Sequence, residues 1–574
     1  MLLEKLRHYA DRLDLPPPMY QKTPIRWLID LDYSGNLVGN GLTMTTSGKT
    51  GKNDKGKEYQ APHIGRTAIR AKLLADTGEY VLGIARDPKK QNRVNECHKV
   101  FIEQVQKCVV ETEAPPVNAV LQFLKNADRS LLTLPDDFDP SQVLTFRVEG
   151  ELPIDLPSVQ AYWASAVSKD AENKQKDNDQ EMQCLICGEF RPPVKRLPFK
   201  IKRIPGGQPA GTALISANKP AFESYGLEAS LIAPTCQDCG ERFSKAANAL
   251  IQGEDTHITI GPLVYLFWTK EEVSFSVASL LSRPEPDEVR NLISSVFRGG
   301  DEALDVDDSS FYATALSASG GRVVVRDWLE TTVQRSKHHL ARYFALQQIV
   351  DWEGSTDKPF GWYALSASTV RDVNKELPAN TPKVLLHMAL NGGPLPRWLL
   401  FQVVKRNRAE QKITRPRAAL IKMVLLSKSE FTKEDTMVQL DLSNREPAYL
   451  CGRLLAVLES IQRTAALRKK LNTTITDRFF GTASSAPASV FGRLIRGSQA
   501  HLTQLRKTKR GVYNALQRRL EEVQGELKTF PKVLTLEEQG LFGLGYYHQR
   551  AAERAEAIAN KKTHDDDDSG QNSE

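Results

Sequence analysis

Two C-x-x-C pairs, Cys184/Cys187 in CLIC and Cys236/Cys239 in CQDC, constrain this chain more than any other feature. Each pair can present two thiolates from one tight knuckle. Two knuckles brought together complete a tetrahedral four-sulfur zinc site with no open position for substrate. Such a site staples a fold and does no chemistry. The 48 residues between the pairs exceed the ~15–20 of a compact ribbon, so a bound Zn2+ would close a long loop. Gly188 and Gly240, one after each pair, are read as relieving the two turns. The plain alternative, thiols that merely lie near one another, leaves unexplained why four of the seven cysteines pair at this spacing.

Cys97, Cys108 and Cys451 sit singly on apolar helical patterns and read as small buried hydrophobes. An odd cysteine count, no secretory apolar region after MLLEKLRHYADRLD and no apolar run near 18 residues lead to the expectation of a soluble cytoplasmic protein without a membrane partner. At 574 residues the chain can hold several domains. The net charge of +7 says little by itself. Its distribution says more: between Arg445 and Lys532, 17 Lys and Arg face six Asp and Glu, a net +11 that exceeds the charge of the whole protein.

The chain opens as a helix over Leu2 to Leu13, then a strand at IRWLIDLD and a return after YSGN. SGKTGKNDKGKEY, Ser47 to Tyr59, has almost nothing to bury and reads as a flexible exposed loop, with RTAIRAKLL and a strand at YVLGI after it. Lys49, Lys52, Lys55, Lys57, Arg66, Arg70 and Lys72 against Asp54 and Glu58 give +5 in 24 residues. Gly48-Lys49-Thr50 is not a P-loop, because the position that needs glycine is Thr43. Lysines and Asn53 on such a loop suit nucleic-acid contact instead, since they can enter a groove, touch phosphates and read base edges.

Helices at KKQNRVNECHKVFIEQVQKCVVE and PPVNAVLQFLKNA precede a strand at VLTFRVEG, and KDAENKQKDNDQEM, 169–182, reads as an exposed linker. HITIGPLVYLFW and EVSFSV read as paired strands, followed by a helix at PDEVRNLISSVF and an acidic loop at DEALDVDDSS. FYATALSAS and RVVVRDWLE make a hairpin across SGG, leading into a helix that carries His338 and His339, which lack partners spaced for metal binding. Leu450, Leu454, Val457, Leu458 and Ile461 form one helical stripe, and Val512, Leu516, Leu520, Val523 and Leu527 another, so the last third is a helix bundle. Its Arg463, Arg468, Lys469, Lys470, Arg493, Arg496, Arg506, Lys507, Lys509, Arg510, Arg518 and Arg519 make a basic surface able to track a phosphate backbone. The acidic end THDDDDSGQNSE reads as disordered.

Four stretches carry a resemblance over nearly the whole chain. CLICGEFRPPVKRLPFKIKRIPGGQPAGTALISANKPAFESYGLEASLIAP, FYATALSASGGRVVVRDW, YLCGRLLAVLESIQ and FPKVLTLEEQGLFGLGYYHQRAA resemble, in this order, the large subunit of the subtype I-C CRISPR surveillance complex, Cascade. The resemblance implies a non-catalytic subunit near the 5′ end of the guide RNA. Such a subunit recognises the protospacer-adjacent motif in target double-stranded DNA, promotes R-loop formation and receives a helicase-nuclease. It also implies contacts with the Cascade backbone and 5′-handle-capping subunits, and a small subunit made from the same reading frame, for which Met437 is a candidate internal start. Many members carry another residue at the position of Cys187, so zinc would reinforce this chain without being a family requirement.

The expected fold is α+β and multidomain. It comprises an N-terminal α/β domain over 1–168, a linker and four-cysteine module over 169–250, a central α+β region over 251–436, an all-α bundle over 437–562 and a tail over 563–574. No HExxH, G-x-S-x-G or P-loop occurs. Two other readings remain at this point: a generic zinc-stapled RNA-binding scaffold, and a metal-dependent nuclease using Asp305, Asp307 and Asp308.

Overall fold

The computed structural model describes residues 1–48, 54–66, 68–126, 132–173, 181–217, 219–273, 275–298, 309–428, 437–466 and 471–570. The fold is mixed α+β, with a helical C-terminal region. Its packing falls into two units, Met1–Ile251 with Ser317–Val324, and Gln252–Leu316 with Val325–Glu574.

In the first unit α1 (Leu2–Ala10) precedes β1 (Tyr20–Ile25), β2 (Trp27–Leu31), β3 (Leu37–Met44), β4 (Lys57–Pro62) and β5 (Asp76–Thr77). There follow α2 (Gly78–Val81), α3 (Gln91–Thr112), α4 (Pro115–Lys125), β6 (Val143–Val148), α5 (Pro157–Asn173), β7 (Met182–Gln183), β8 (Phe190–Arg191) and α6 (Gln237–Gln252). A four-stranded sheet runs β3-β2-β6-β5. The β2–β6 pair is parallel, and α3 and α4 lie in the crossover that such a pair requires. Val94, Cys97, His98, Phe101, Val105 and Cys108 form the buried stripe of α3, and Phe101 and Phe123 meet Phe146 of β6 with ring centroids 6.5 and 6.2 Å apart. Cys97 and Cys108 are core residues, as expected.

Two strands expected from sequence do not form among the described residues. YVLGI is not a strand: β5 pairs with β6 for two residues only, and Gly78 N and Glu79 N then bond Gln142 O and Pro140 O, turning the chain into α2. EVSFSV is not one either, because Ser276 accepts a hydrogen bond from Ser279 N at 3.1 Å and starts a helix at Val277. Short apolar runs do not separate strand from helix by periodicity.

The second unit begins with the hairpin β9 (His257–Ile260) and β10 (Leu263–Thr269), then α7 (Val277–Ser282) and α8 (Pro286–Arg298). The hairpin β11 (Ser310–Ser319) and β12 (Arg322–Thr332) completes a sheet of order β12-β11-β10-β9. Helices α9 (Val333–Gln347), α10 (Trp362–Ser368), α11 (Val373–Glu376), α12 (Asn380–Asn391), α13 (Arg397–Glu410) and α14 (Arg415–Leu426) lead to α15 (Pro447–Ala465). The chain closes with α16 (Ile475–Ala483), α17 (Phe491–Thr508), α18 (Arg510–Glu526) and α19 (Leu536–Gly570), the last extending into the segment read as a disordered tail. The helix α15 is buried along nearly its whole length. Gly452 on α15 and Gly545 on α19 let the two backbones touch, since a Cβ on either would collide with a carbonyl of the other helix. The core of this unit runs unbroken across Met437: Gly540 of α19 packs on Leu400 and Ile421, and Val350 N bonds Val438 O at 2.8 Å.

Candidate metal centre and nucleic-acid interface

The two cysteine pairs meet. One ligand atom from each of Cys184, Cys187, Cys236 and Cys239 lies within 4.8 Å of the others. Zn–S bonds of about 2.3 Å in a tetrahedron place sulfurs ~3.8 Å apart, so the four-sulfur set fits a metal ion with little adjustment. The first knuckle is the turn of the β7–β8 ribbon, where Gly188 N bonds Cys184 O at 2.8 Å and Gly188 takes the positive φ of 77°. The second opens α6, with Gly240 N bonding Cys236 O at 3.0 Å. Gly240 is therefore helical, contrary to the sequence reading. Its lack of a side chain matters for packing, because a Cβ there would press on Leu197 at 3.1 Å.

Backbone bonds clamp the knuckles together: Leu185 N to Pro234 O and Val194 N to Thr235 O, both 2.9 Å. Cys236 N points at Cys184 Sγ at 3.4 Å. Hydrogen bonds within the cluster, led by that from Cys239, pull the Cys236 thiol well below its ordinary pKa. Four clustered sulfurs, three of them buried, cannot all ionise without a cation among them, a role that a bound metal ion would fill. The module is also tied to the N-terminal body. Glu241 of α6, nearly inaccessible, accepts Met19 N at 2.8 Å and pairs with Lys245 at 2.6 Å, while Lys245 Nζ donates to Pro16 O and Pro17 O.

The lysine-rich loop between β3 and β4 is closed at its neck by one carboxylate. Asp54 accepts from Arg26 Nη1 at 2.7 Å, from Thr46 Oγ1, Ser47 N and Ser47 Oγ at 2.8 Å each, and from Gly56 N at 3.0 Å. These bonds, led by that from Ser47 N, hold its carboxyl well below the usual range. Gly56 has φ +93°, and a Cβ there would strike the Ile25 carbonyl. Sequence reading counted Asp54 only as a charge and missed Arg26; the D-x-G spacing of an Asx-type turn was the available signal.

Lys55 and Lys57 are exposed, with Lys57 Nζ 5.7 Å from the Tyr59 ring centroid. Arg66 is otherwise engaged: it pairs with the buried Asp76 and lies 4.1 Å over the Tyr80 ring. Lys72 and Arg70 are half-buried, and burial pulls the Lys72 amine below its ordinary pKa. Lys49, Lys52 and Asn53 lie outside the described residues, as do Arg468, Lys469, Lys470 and the acidic Asp305, Asp307 and Asp308.

On the bundle, Arg463 pairs with Glu459 at 2.7 Å, Arg518 with Glu522 at 3.8 Å and Arg519 with Glu556. Arg493 stacks 4.7 Å over Phe479, and Arg496 is exposed. Arg506, Lys507, Lys509 and Arg510 gather at the α17–α18 joint. All four are exposed, and none of their side chains pairs with a carboxylate among the described residues. Lys509 and Arg510 sit at the start of α18, where the helix dipole disfavours cations.

No curated protein matches the chain. The sequence profile of a family described as CRISPR-associated protein (Cas_Csd1) matches residues 3–553. The match spans both packing units, the cysteine cluster, the Asp54 neck and the α17–α18 joint, and the chain belongs to this CRISPR-associated family.

Proposed function

We propose that this chain is the non-catalytic large subunit of a subtype I-C Cascade complex. The family match over residues 3–553 carries the proposal, because it makes the whole chain CRISPR-associated. In this reading the loop gripped by Asp54 reads the protospacer-adjacent motif, with Lys49, Lys52, Asn53, Lys55 and Lys57 as its contacts. Arg66, Arg70 and Lys72 stand behind it: Arg66 braces the fold through Asp76, and the half-buried Lys72 adds positive potential at short range. The four cysteines hold a structural Zn2+ that fixes the ribbon to α6.

The cationic joint at Arg506 to Arg510 serves the phosphate backbone. Uncompensated like charges lower stability, with Lys509 and Arg510 also set against the α18 dipole, and an external polyanion relieves them. Guide RNA, target duplex, backbone and 5′-handle-capping subunits, small subunit and helicase-nuclease are the partners of this reading. In such machines guide pairing reads most of the sequence, and protein reads the short motif and the backbone.

The test is reconstitution with the backbone subunits and guide RNA, then titration of target duplexes with randomised bases beside the protospacer. Binding confined to one adjacent motif, and lost when this chain is omitted, is expected. Motif-independent binding would return the chain to a generic RNA-binding scaffold.

A further inference from the structure

Between the two cysteine pairs, and within the first unit, the chain throws out a short finger. Ala217 N bonds Ala229 O at 2.9 Å, Leu227 N bonds Ser224 O at 2.9 Å, and the two residues between, Tyr225 and Gly226, have φ of +55° and +72°. Two successive positive φ values make a tight hairpin turn that Asn-Gly satisfies cheaply and a bulky aromatic does not. Such strain is kept where something offsets it. Nothing among the described residues does so here: the Tyr225 side chain is 100% exposed and has no partner among them.

The finger stands on a fixed base. Ser230 at its return is buried, donates from Oγ to Ile215 O at 3.1 Å and from its backbone N to Lys195 O at 3.1 Å, six residues ahead of Cys236 in sequence. A second ring, Phe222, is half-exposed, with the Arg322 guanidinium stacked 4.1 Å over one face. Lys195, Arg196, Lys200, Arg203 and Lys219 are exposed on the same module; Glu189, Glu223 and Glu228 oppose them, and Glu228 is paired with Lys195 at 2.8 Å.

Aromatic rings presented on a rigid, cationic base match the chemistry of unpaired nucleotides: stacking for the bases, ammonium and guanidinium groups for the phosphates. From this we infer that the Tyr225 finger is a base-stacking element for single-stranded DNA, with Phe222 and Arg322 as its second platform. The inference deepens the proposed target-DNA role, adding to it the R-loop formation that the family resemblance implies, and rests on that role for the identity of the strand.

The test uses the full-length chain alone and a fluorescein-labelled single-stranded oligonucleotide, followed by anisotropy across a salt series. Tyr225→Ala is expected to weaken binding ~5- to 150-fold, the range for one stacked base, without changing the salt slope, whereas Tyr225→Phe and Tyr225→Trp retain it. Binding to a blunt duplex of the same length should not change. Unaltered thermal unfolding of the three variants controls for the fold, since the ring contacts nothing internal among the described residues. Equal affinity of wild type and Tyr225→Ala for the single strand overturns the inference. So does a Tyr225→Ala defect confined to assembly with protein subunits, which would make the finger a protein contact. Because the chain is tested without guide RNA, a stacking effect found here survives loss of motif dependence in the reconstituted complex. Failure of the finger likewise leaves the motif-reading proposal standing.

Discussion

Arg26 Nη1 donates to Asp54 Oδ2 at 2.7 Å while also bonding Thr45 O at 2.9 Å, joining both ends of the lysine-rich loop to the start of β2. Arg26 is almost fully buried, and its guanidinium stacks 5.6 Å from the Trp27 ring. A loop that must probe a partner benefits from a fixed neck, because ordering at the neck is already complete before binding and less entropy remains to be lost.

Replacing Asp54 with Ala should release the neck and leave the sheet. Amide exchange at Ser47 and Gly56 is expected to rise by about tenfold, the scale of a lost hydrogen bond, while exchange in β2 and β6 stays protected. The pH dependence follows from the depressed carboxyl. Its stabilising contribution is complete above the unfolded-state pKa near 4 and is lost as pH falls through the lower folded value. Wild-type neck amides should therefore stay protected at pH 4 and open only in stronger acid. Opening between pH 5 and 4 would show that Asp54 does not hold them.

The cysteine set predicts one zinc per chain by elemental analysis after purification without chelator. Removing it by chelation at neutral pH should destabilise the first unit by about 3 kcal/mol, on the footing that free metal is held ~100-fold above its Kd. Cys236→Ser should bind less metal than Cys187→Ser, because Cys236 is buried in the cluster, whereas Cys187 is partly exposed. A chain that purifies without metal and melts identically with and without chelator would leave the cluster as four thiols.

Legibility from sequence followed the length scale of the signal. The stripe of α3 and those of α15 and α18 spanned several turns and marked their helices, and the x-two cysteine spacing marked the four-cysteine cluster, because these patterns depend on neighbours along the chain. Features set by distant partners were not readable. Arg66 looked like a free cation beside the loop, yet Asp76 and Tyr80 engage it. The sequence places a boundary at Met437, but α19 packs on α13 and α14 as well as on α15, so an internally started product would uncover the Gly540 contact with Leu400 and Ile421. Tyr225 gave no signal in the sequence, since only backbone geometry reveals the strained turn that displays it.

Lys422 offers a pH prediction independent of any ligand. Its side chain is fully buried on α14, Nζ donates to Gln348 O at 2.6 Å, and burial pulls the amine down to about 7. A lysine depressed in the folded state binds fewer protons there than in the unfolded chain, so its penalty is absent above pH ~10.5 and grows as pH falls to 7. Folding stability of the second unit should thus rise with pH across 7–10 by up to about 1.4 kcal/mol per pH unit from this group. Lys422→Met should remove that slope, at the cost of leaving the Gln348 carbonyl without its donor, about 1–3 kcal/mol. An unchanged slope in urea titrations at pH 7, 8.5 and 10 would mean the amine stays charged in the fold.

Loop and bundle should fail differently when their charges are removed. Neutralising Arg506, Lys507, Lys509 and Arg510 together removes up to four phosphate contacts that no carboxylate of the described residues balances, so affinity for duplex DNA should drop for every sequence. The slope of log K against log salt should become shallower by ~0.9 per lost contact, about 3–4 in all. Changing Asn53 with Lys52 and Lys55 should in addition erode discrimination between adjacent motifs by ~1–3 kcal/mol per lost base contact, with the salt slope falling by no more than ~0.9 for each lysine that touches a phosphate. Gly56→Ala separates the two effects further. It leaves every loop side chain in place but pushes the neck off the Ile25 carbonyl, so it should lower motif discrimination while the bundle's salt slope stays intact. If both charge sets reduced affinity equally for every motif, the loop would be one more patch of positive surface and the division between reading and holding would fail.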